Sequence, residues 1–189
     1  MYKQPILAAA FLLLLTGATG DAQRYWLDTS ASAVSAKVAF FAVASKTAGF
    51  PKVSGGAAIT GRDPASLALD VRIDARALTA PDKTTHGRLK GEKFFWVEKY
   101  PEIRFQGTGL RMKYERRGSL PGKLTARGVT RDVTLDVTFA QAPASAPARQ
   151  PIAISATTTI DRRDFGMTSY SLIVGRKVDI TIRARMVPE

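Results

Sequence analysis

Three stretches of this chain alternate apolar and polar residues without a break. Leu67, Leu69, Val71 and Ile73 are set against Ala68, Asp70, Arg72 and Asp74. Val133, Leu135, Val137 and Phe139 are set against Asp132, Thr134, Asp136 and Thr138. Val178, Ile180, Ile182, Ala184 and Met186 are set against Lys177, Asp179, Thr181, Arg183 and Arg185. Successive side chains of a strand point to opposite faces, so a period of two requires a sheet with one dry face and one wet face. Looser versions of the pattern occur at Val34, Ala36, Val38, Phe40 and Ala42, at Val53, Gly55, Ala57 and Ile59, and at Ile152, Ile154, Ala156, Thr158 and Ile160. Strands of this kind joined by short polar turns make an antiparallel sandwich or barrel. Alternation alone does not choose between them. About eight strands can close around one small ligand.

The turns follow from the residues between the strands. Gly49-Phe50-Pro51 and Arg62-Asp63-Pro64 reverse the chain, and Gly107 with Gly109 reads as a bulge that moves the apolar phase to Leu110 and Met112. Glu115 to Gly118 is a hairpin turn with Gly122 to Arg127 as the return strand. Pro143, Pro147 and Pro151 mark a surface loop. The inward faces carry many small residues, among them Ala36, Ala42, Gly55, Ala57, Ala156 and Ala184. Small inward residues leave a hollow, or they let two sheets approach closely; the residues fit both.

One segment breaks the β pattern. Thr79-Ala80-Pro81-Asp82 reads as a helix start, with Thr79 as cap and Asp82 favouring the positive end of the dipole. The helix runs to Lys90 and stops at Gly91, and its charges, Lys83, Arg88 and Lys90, are mostly positive. Five aromatic residues follow closely, at Phe94, Phe95, Trp96, Tyr100 and Phe105. Pro101 fixes its own φ and pushes Tyr100 into extended backbone. The stretch reads as a hinge between a helical lid and a strand.

The first 22 residues have a different character. Lys3, the apolar run Ile6 to Leu15 and the small residues Gly20 and Ala22 have the order of a secretory signal peptide. The run is shorter than the ~20 apolar residues of a comfortable membrane span. Residues 23–189 are then one exported domain, large enough for its own core. There is no cysteine, which excludes disulfides, a thiol nucleophile and a cysteine-borne lipid anchor. The formal charge of +12 favours phosphate-bearing partners such as membrane surfaces and lipid headgroups. Export and the dispersal of these charges argue against nucleic acid.

The residue types for catalysis are scarce. His86 is the one histidine, so a zinc site would need carboxylates for its other ligands and a catalytic triad would have to use that residue. No Gly-x-Ser-x-Gly elbow accompanies it. A histidine on a surface helix is more often solvated than catalytic. No phosphate-binding glycine loop follows a strand. No metal, cofactor or enzymatic activity is expected.

Several short motifs together resemble the YceI-like family. They are Trp26-Leu27-Asp28 followed by Ser32-Ala33-Val34; Phe94-Phe95 leading to Lys99-Tyr100-Pro101 and Phe105; Gly122-Lys123-Leu124-Thr125; Gly128-Val129-Thr130; Arg163-Asp164-Phe165-Gly166-Met167; and Val178 to Ile182. Their order spans the chain from Trp26 almost to its end. The resemblance implies a lipocalin-like, extended antiparallel β-barrel with a short helical segment as lid. It further implies a periplasmic, non-enzymatic protein that holds a long isoprenoid lipid, a polyprenyl phosphate or an isoprenoid quinone, in the barrel. The alternative is an interaction module for a membrane redox or stress-response protein, with little ligand binding.

On that reading Val38, Phe40, Phe94, Trp96 and Phe105 line an apolar cavity, and Arg88 and Arg163 face the headgroup. Transient contact with a membrane surface is also expected. Oligomeric state stays open, a dimer included. Three positions depart from the family pattern: Ala31, Phe40 and Arg88 stand where relatives often have histidine. These changes remove histidine-dependent polar contacts and leave an apolar cavity intact.

Overall fold

The structure is a computed structural model that describes residues 22–41, 43–61, 63–145 and 149–189. Residues 1–21 of the expected signal peptide, the inward position Ala42, Arg62 of a turn and Pro147 of the proline loop lie outside the described residues. Eleven strands form: β1 (Ala22–Leu27), β2 (Ala33–Phe40), β3 (Ala44–Phe50), β4 (Val53–Thr60), β5 (Ala68–Asp74), β6 (Glu102–Thr108), β7 (Arg111–Tyr114), β8 (Arg117–Ala126), β9 (Val129–Phe139), β10 (Ile152–Asp161) and β11 (Val174–Pro188). Among the described residues one α-helix, α1 (Lys83–Lys90), interrupts them. No helix among the described residues is long and apolar enough to cross a membrane.

Eight strands close an antiparallel barrel in the order β1-β4-β5-β6-β8-β9-β10-β11, and β11 returns to β1. Closure leaves no free edge around the ring. The fifteen-residue β11 makes this possible by dividing one edge between two partners. Its first part, Val174 to Arg183, pairs with β2, and its last part, Met186 to Pro188, pairs with β1. The β2–β3 hairpin is therefore a flap on the barrel wall. Its outer edge is tied down at Gly49, which exchanges backbone hydrogen bonds with Thr79 at 3.0 and 2.8 Å.

Two glycines have backbone reasons to be glycine. Gly55, at φ 138°, lies against β5, where a Cβ would strike the Asp70 carbonyl oxygen. Gly128, at φ 74°, and Arg127, at φ 51°, make the two-residue turn between β8 and β9. Positive φ at both turn positions matches the twist of the flanking strands.

The structure changes several details of the sequence reading. β3 was not expected, because Ala-Ser-Lys-Thr-Ala-Gly has no apolar alternation; Gly49 and Phe50 belong to that strand and not to a turn. β2 stops at Phe40, since Phe41 turns the chain at φ 51°. Gly109 (φ 70°) breaks the chain fully, so that β7 is a separate short strand paired only with β8. β8 begins at Arg117 and carries Pro121 where it exchanges partners, between Gly122 opposite Gly107 and Ser119 opposite Arg111. A residue without an N–H is tolerated at such a break. The cap of α1 is Asp82 and not Thr79: the Asp82 carboxylate accepts the Thr85 backbone N–H at 2.8 Å. Thr79 is occupied with Gly49. His86 is half-buried and has a protein partner. Its Nε2 lies 3.1 Å from the Leu78 carbonyl oxygen and ties the helix to the chain before it.

Candidate functional site

The inward faces of the barrel do not meet. They enclose a cavity of about 430 Å³, within the range of small-molecule sites. It runs from Gln23, Pro64 and Pro143 at one end to Lys46, Val174 and Arg162 at the lid end. On β10 both Ile152 and Ile160 line it, eight residues or ~26 Å of strand apart. Leu67, Leu69, Val71, Ile73, Val133, Ile154, Val178, Ile180 and Ile182 all line it and stay only half-buried, because water-sized space reaches them from within. Ala36, Ala57 and Ala156 also line it, so the small inward residues make a hollow and not a close contact of two sheets.

The lid closes one end. Phe94, Val97, Leu78, Ile103, Phe165 and Met167 form a packed cluster there, with Ala48 and Phe50 of β3. The ring of Phe50 meets Phe95 edge-on at 5.6 Å, and Phe94 stacks on Tyr170 at 5.9 Å. Arg127, on the β8–β9 turn, fastens this end by donating to the carbonyls of Glu92 and Gly166.

Arg162 is the one cation that is buried in the cavity wall among the described residues; it is 3% exposed. Its guanidinium donates to four backbone carbonyls: Gly175 from Nε at 2.8 Å, Met167 and Ser169 (2.9 Å) from Nη1, and Val174 from Nη2 at 2.9 Å. A guanidinium has five N–H groups, so one on Nη2 remains. Among the described residues no carboxylate pairs with it. Burial pulls its pKa below the usual arginine range. The neighbouring Asp161 serves other partners. Hydrogen bonds from Arg163, with Arg176 close by, hold its carboxyl at about 2. The wall thus presents a buried positive charge that is hydrogen-bonded to carbonyls alone, with the Asp161 carboxylate near enough to act on it through space but hydrogen-bonded to Arg163. Such a charge favours a ligand oxygen beside it.

The expected site residues divide. Val38, Phe94 and Phe105 line the cavity. Phe105 lies over Gly107 and Gly122, where a Cβ on either glycine would collide with its ring. Phe40 and Trp96 do not line it. Phe40 is the last residue of β2, and its ring packs edge-on against Phe41 at 4.6 Å with the Lys46 amino group 5.5 Å away. Trp96 sits in an irregular segment at φ 48°, meets Tyr100 edge-on and carries the Lys99 amino group 4.5 Å above its ring. Arg163 points outward to Asp161, so the headgroup role given to it does not fit its position. Arg88 lies on the outer side of the lid, 5.5 Å from the Tyr170 ring.

Arg162 was missed. The signal for it was the parity of β10: Ile152, Ile154, Ala156, Thr158 and Ile160 face inward, and the next even position is Arg162. Of the other family histidine positions, Ala31 is exposed in the β1–β2 turn. There Asp28 accepts the backbone N–H groups of Ser30 and Ala31. The adjacent Ser32 is buried, lines the cavity and accepts the Arg185 N–H at 3.1 Å.

Similar architecture occurs in solved structures. BcnA of Burkholderia cenocepacia is 23% identical, with a TM-score of 0.75 over 84% of this chain and 98% of that one. The Campylobacter jejuni YCEI protein is 24% identical, with a TM-score of 0.61 over 75% and 84%. A polyisoprenoid binding domain from Saccharophagus degradans, implicated in plant cell wall breakdown, is 14% identical, with a TM-score of 0.65 over 87% and 98%. A sequence search of curated proteins found no match. The model of the YceI-like domain matches residues 25–186, nearly the whole of the barrel described above, and the chain belongs to the YceI-like family.

Proposed function

We propose that the protein is a non-enzymatic carrier or sequestering protein for a long isoprenoid-type lipid, held along the barrel axis. The observation that carries this reading is the continuous apolar cavity, whose inward side chains stay half-buried because nothing of the protein fills the space between them. Each CH₂ moved from water into such a space contributes ~0.8 kcal/mol, so a long chain is held without specific chemistry. The free N–H of Arg162 gives the ligand's oxygen-bearing end a place, and both a polyprenyl phosphate and a quinone have such an end. The similar domain from Saccharophagus degradans is a polyisoprenoid binding domain, which is consistent with the same ligand class. The pattern of residues 1–22 supports export to the periplasm, where the ligand would be met at a membrane.

Native mass spectrometry of the protein purified from its own envelope fraction tests the reading. The expected result is a bound species whose mass, after extraction, is that of an isoprenoid lipid. Protein that emerges empty and cannot be loaded with a polyprenyl phosphate or a quinone would overturn it, and would favour an interaction module for a membrane redox or stress-response protein. N-terminal sequencing of the same sample should begin near Gln23.

A further inference from the structure

We infer that the protein docks on anionic phospholipid bilayers through an apolar tip made of Phe41, Val43 and Leu172. These side chains are 58%, 94% and 98% exposed. They come from two turns that touch: the Phe41 N–H donates to the Ile173 carbonyl at 2.8 Å. The Val43 N–H turns back to the Phe41 carbonyl at 2.7 Å, and the Tyr170 carbonyl accepts from both Ile173 and Val174, at 3.1 and 2.8 Å. Leu172 is thus held at the outer edge of a tight turn, beside the β2–β3 turn.

Each turn also keeps an aromatic residue in left-handed backbone, Phe41 at φ 51° and Tyr170 at φ 57°. Glycine or asparagine would sit there with less strain. Strained backbone collects where function requires a side chain that stability does not.

Charge surrounds the tip. The Arg88 guanidinium and the Lys93 amino group lie 5.5 and 5.3 Å from the Tyr170 ring. Neither has a carboxylate partner among the described residues, and the same holds for Lys83 and Lys90 on the lid. The lid has three carboxylates: Asp82 caps the helix and binds Lys46 at 2.8 Å, Glu92 stands beside Lys93, and Glu98 stands beside Lys99. Large exposed apolar side chains on turns that carry unpaired cations beside them fit a bilayer, with the cations at lipid phosphates and the apolar groups in the interface. The tip residues stand at the ends of turns and line no groove, which favours a bilayer over a protein partner. The cavity begins directly behind, since Val174, next to Ile173 and opposite Phe40, lines it.

The test is co-sedimentation of the purified protein with phosphatidylcholine vesicles, with and without phosphatidylglycerol. Binding should require phosphatidylglycerol and weaken with salt. Val43→Asp/Leu172→Asp should reduce apparent affinity about tenfold or more with Tm unchanged. Tyr114→Asp, at another exposed site, should bind as wild type. Indifference of the wild type to phosphatidylglycerol vesicles, including the case in which it captures polyglutamate instead, would overturn the inference. So would unchanged binding of the double variant. Lipid content is measured separately: empty protein that still binds vesicles overturns only the carrier reading, and loaded protein that ignores vesicles overturns only the docking surface.

Discussion

Two parts of the barrel interior are packed on different terms. Under the lid, Phe165 and Leu78 are almost wholly enclosed, with Phe94, Val97 and Met167 around them. In the body, Leu69, Val71, Val133, Ile154 and Ile182 point inward on the same pattern, yet keep surface open to the cavity. Inward direction and burial are therefore separate properties. A strand's alternation fixes the first. The second depends on whether side chains from opposite walls are long enough to meet, and Ala36, Ala57 and Ala156 ensure that they do not. The lid cluster does the work of a core, and the body behaves as a lined container.

Truncation separates the two most strongly. Phe165→Ala empties a site with no room to collapse and should cost ~3–5 kcal/mol. Leu69→Ala removes a side chain that already has open space on one side, and should cost only ~1–2 kcal/mol. Chemical denaturation of both variants, freed of lipid, measures the difference. Equal losses would mean that the body is packed as tightly as the lid.

Addition should show the reverse. Ala36→Trp puts a ring into the cavity, where Ala36 lines the wall. The container reading expects the fold to survive with a stability change under ~1 kcal/mol and retained lipid to fall sharply. A filled interior would lose ~1–3 kcal/mol to overpacking. Thermal unfolding and the mass of extracted lipid distinguish the outcomes, and a variant that is normal in both would show that this part of the cavity holds no ligand.

Much of the barrel was legible because β5, β9 and β11 declare their faces residue by residue. β3 was not, since it lies in the flap, and Ala44 to Gly49 offers a run of small and polar residues with no dry face to mark. The helix and its stop at Gly91 are legible, but its start is not, because Thr79 and Asp82 are both capping types and only tertiary contact with Gly49 assigns the first of them. The site was half legible. Val38 and Phe105 lie within regular strands, where parity predicts direction. Phe40 ends its strand and Trp96 lies outside any strand, so parity carries no information about either ring. Of the adjacent Arg162 and Arg163, one faces in and one faces out, and the family-like motif was attached to the outward one. The inner parity of β10 would have selected Arg162.

The smallest effect probes the outer side of that same pair. Asp161 is held at about 2 by hydrogen bonds from Arg163, with Arg176 beside it, against an ordinary value of 3.8. Its carboxylate also accepts the Arg163 N–H that starts the turn carrying Arg162 inward. A folded-state value below the unfolded one means that the unfolded chain binds the proton first. The contribution is complete above pH 4–5 and is lost as pH falls through 3.8 towards 2. Asp70, hydrogen-bonded to Arg104, and Asp82, hydrogen-bonded to Lys46 and the helix start, are shifted in the same direction and lose their contributions on the same side. Asp161→Asn should therefore lower Tm modestly at pH 7 and make its decline below pH 4 shallower than that of wild type. Asp132→Asn, which breaks an exposed pair with Lys123 on the outer wall, should leave Tm close to wild type. Thermal scans between pH 2 and 7 compare the three proteins. A parallel acid decline in wild type and Asp161→Asn would show that the lid end does not depend on this carboxylate, and that the four carbonyls around Arg162 hold the turn by themselves.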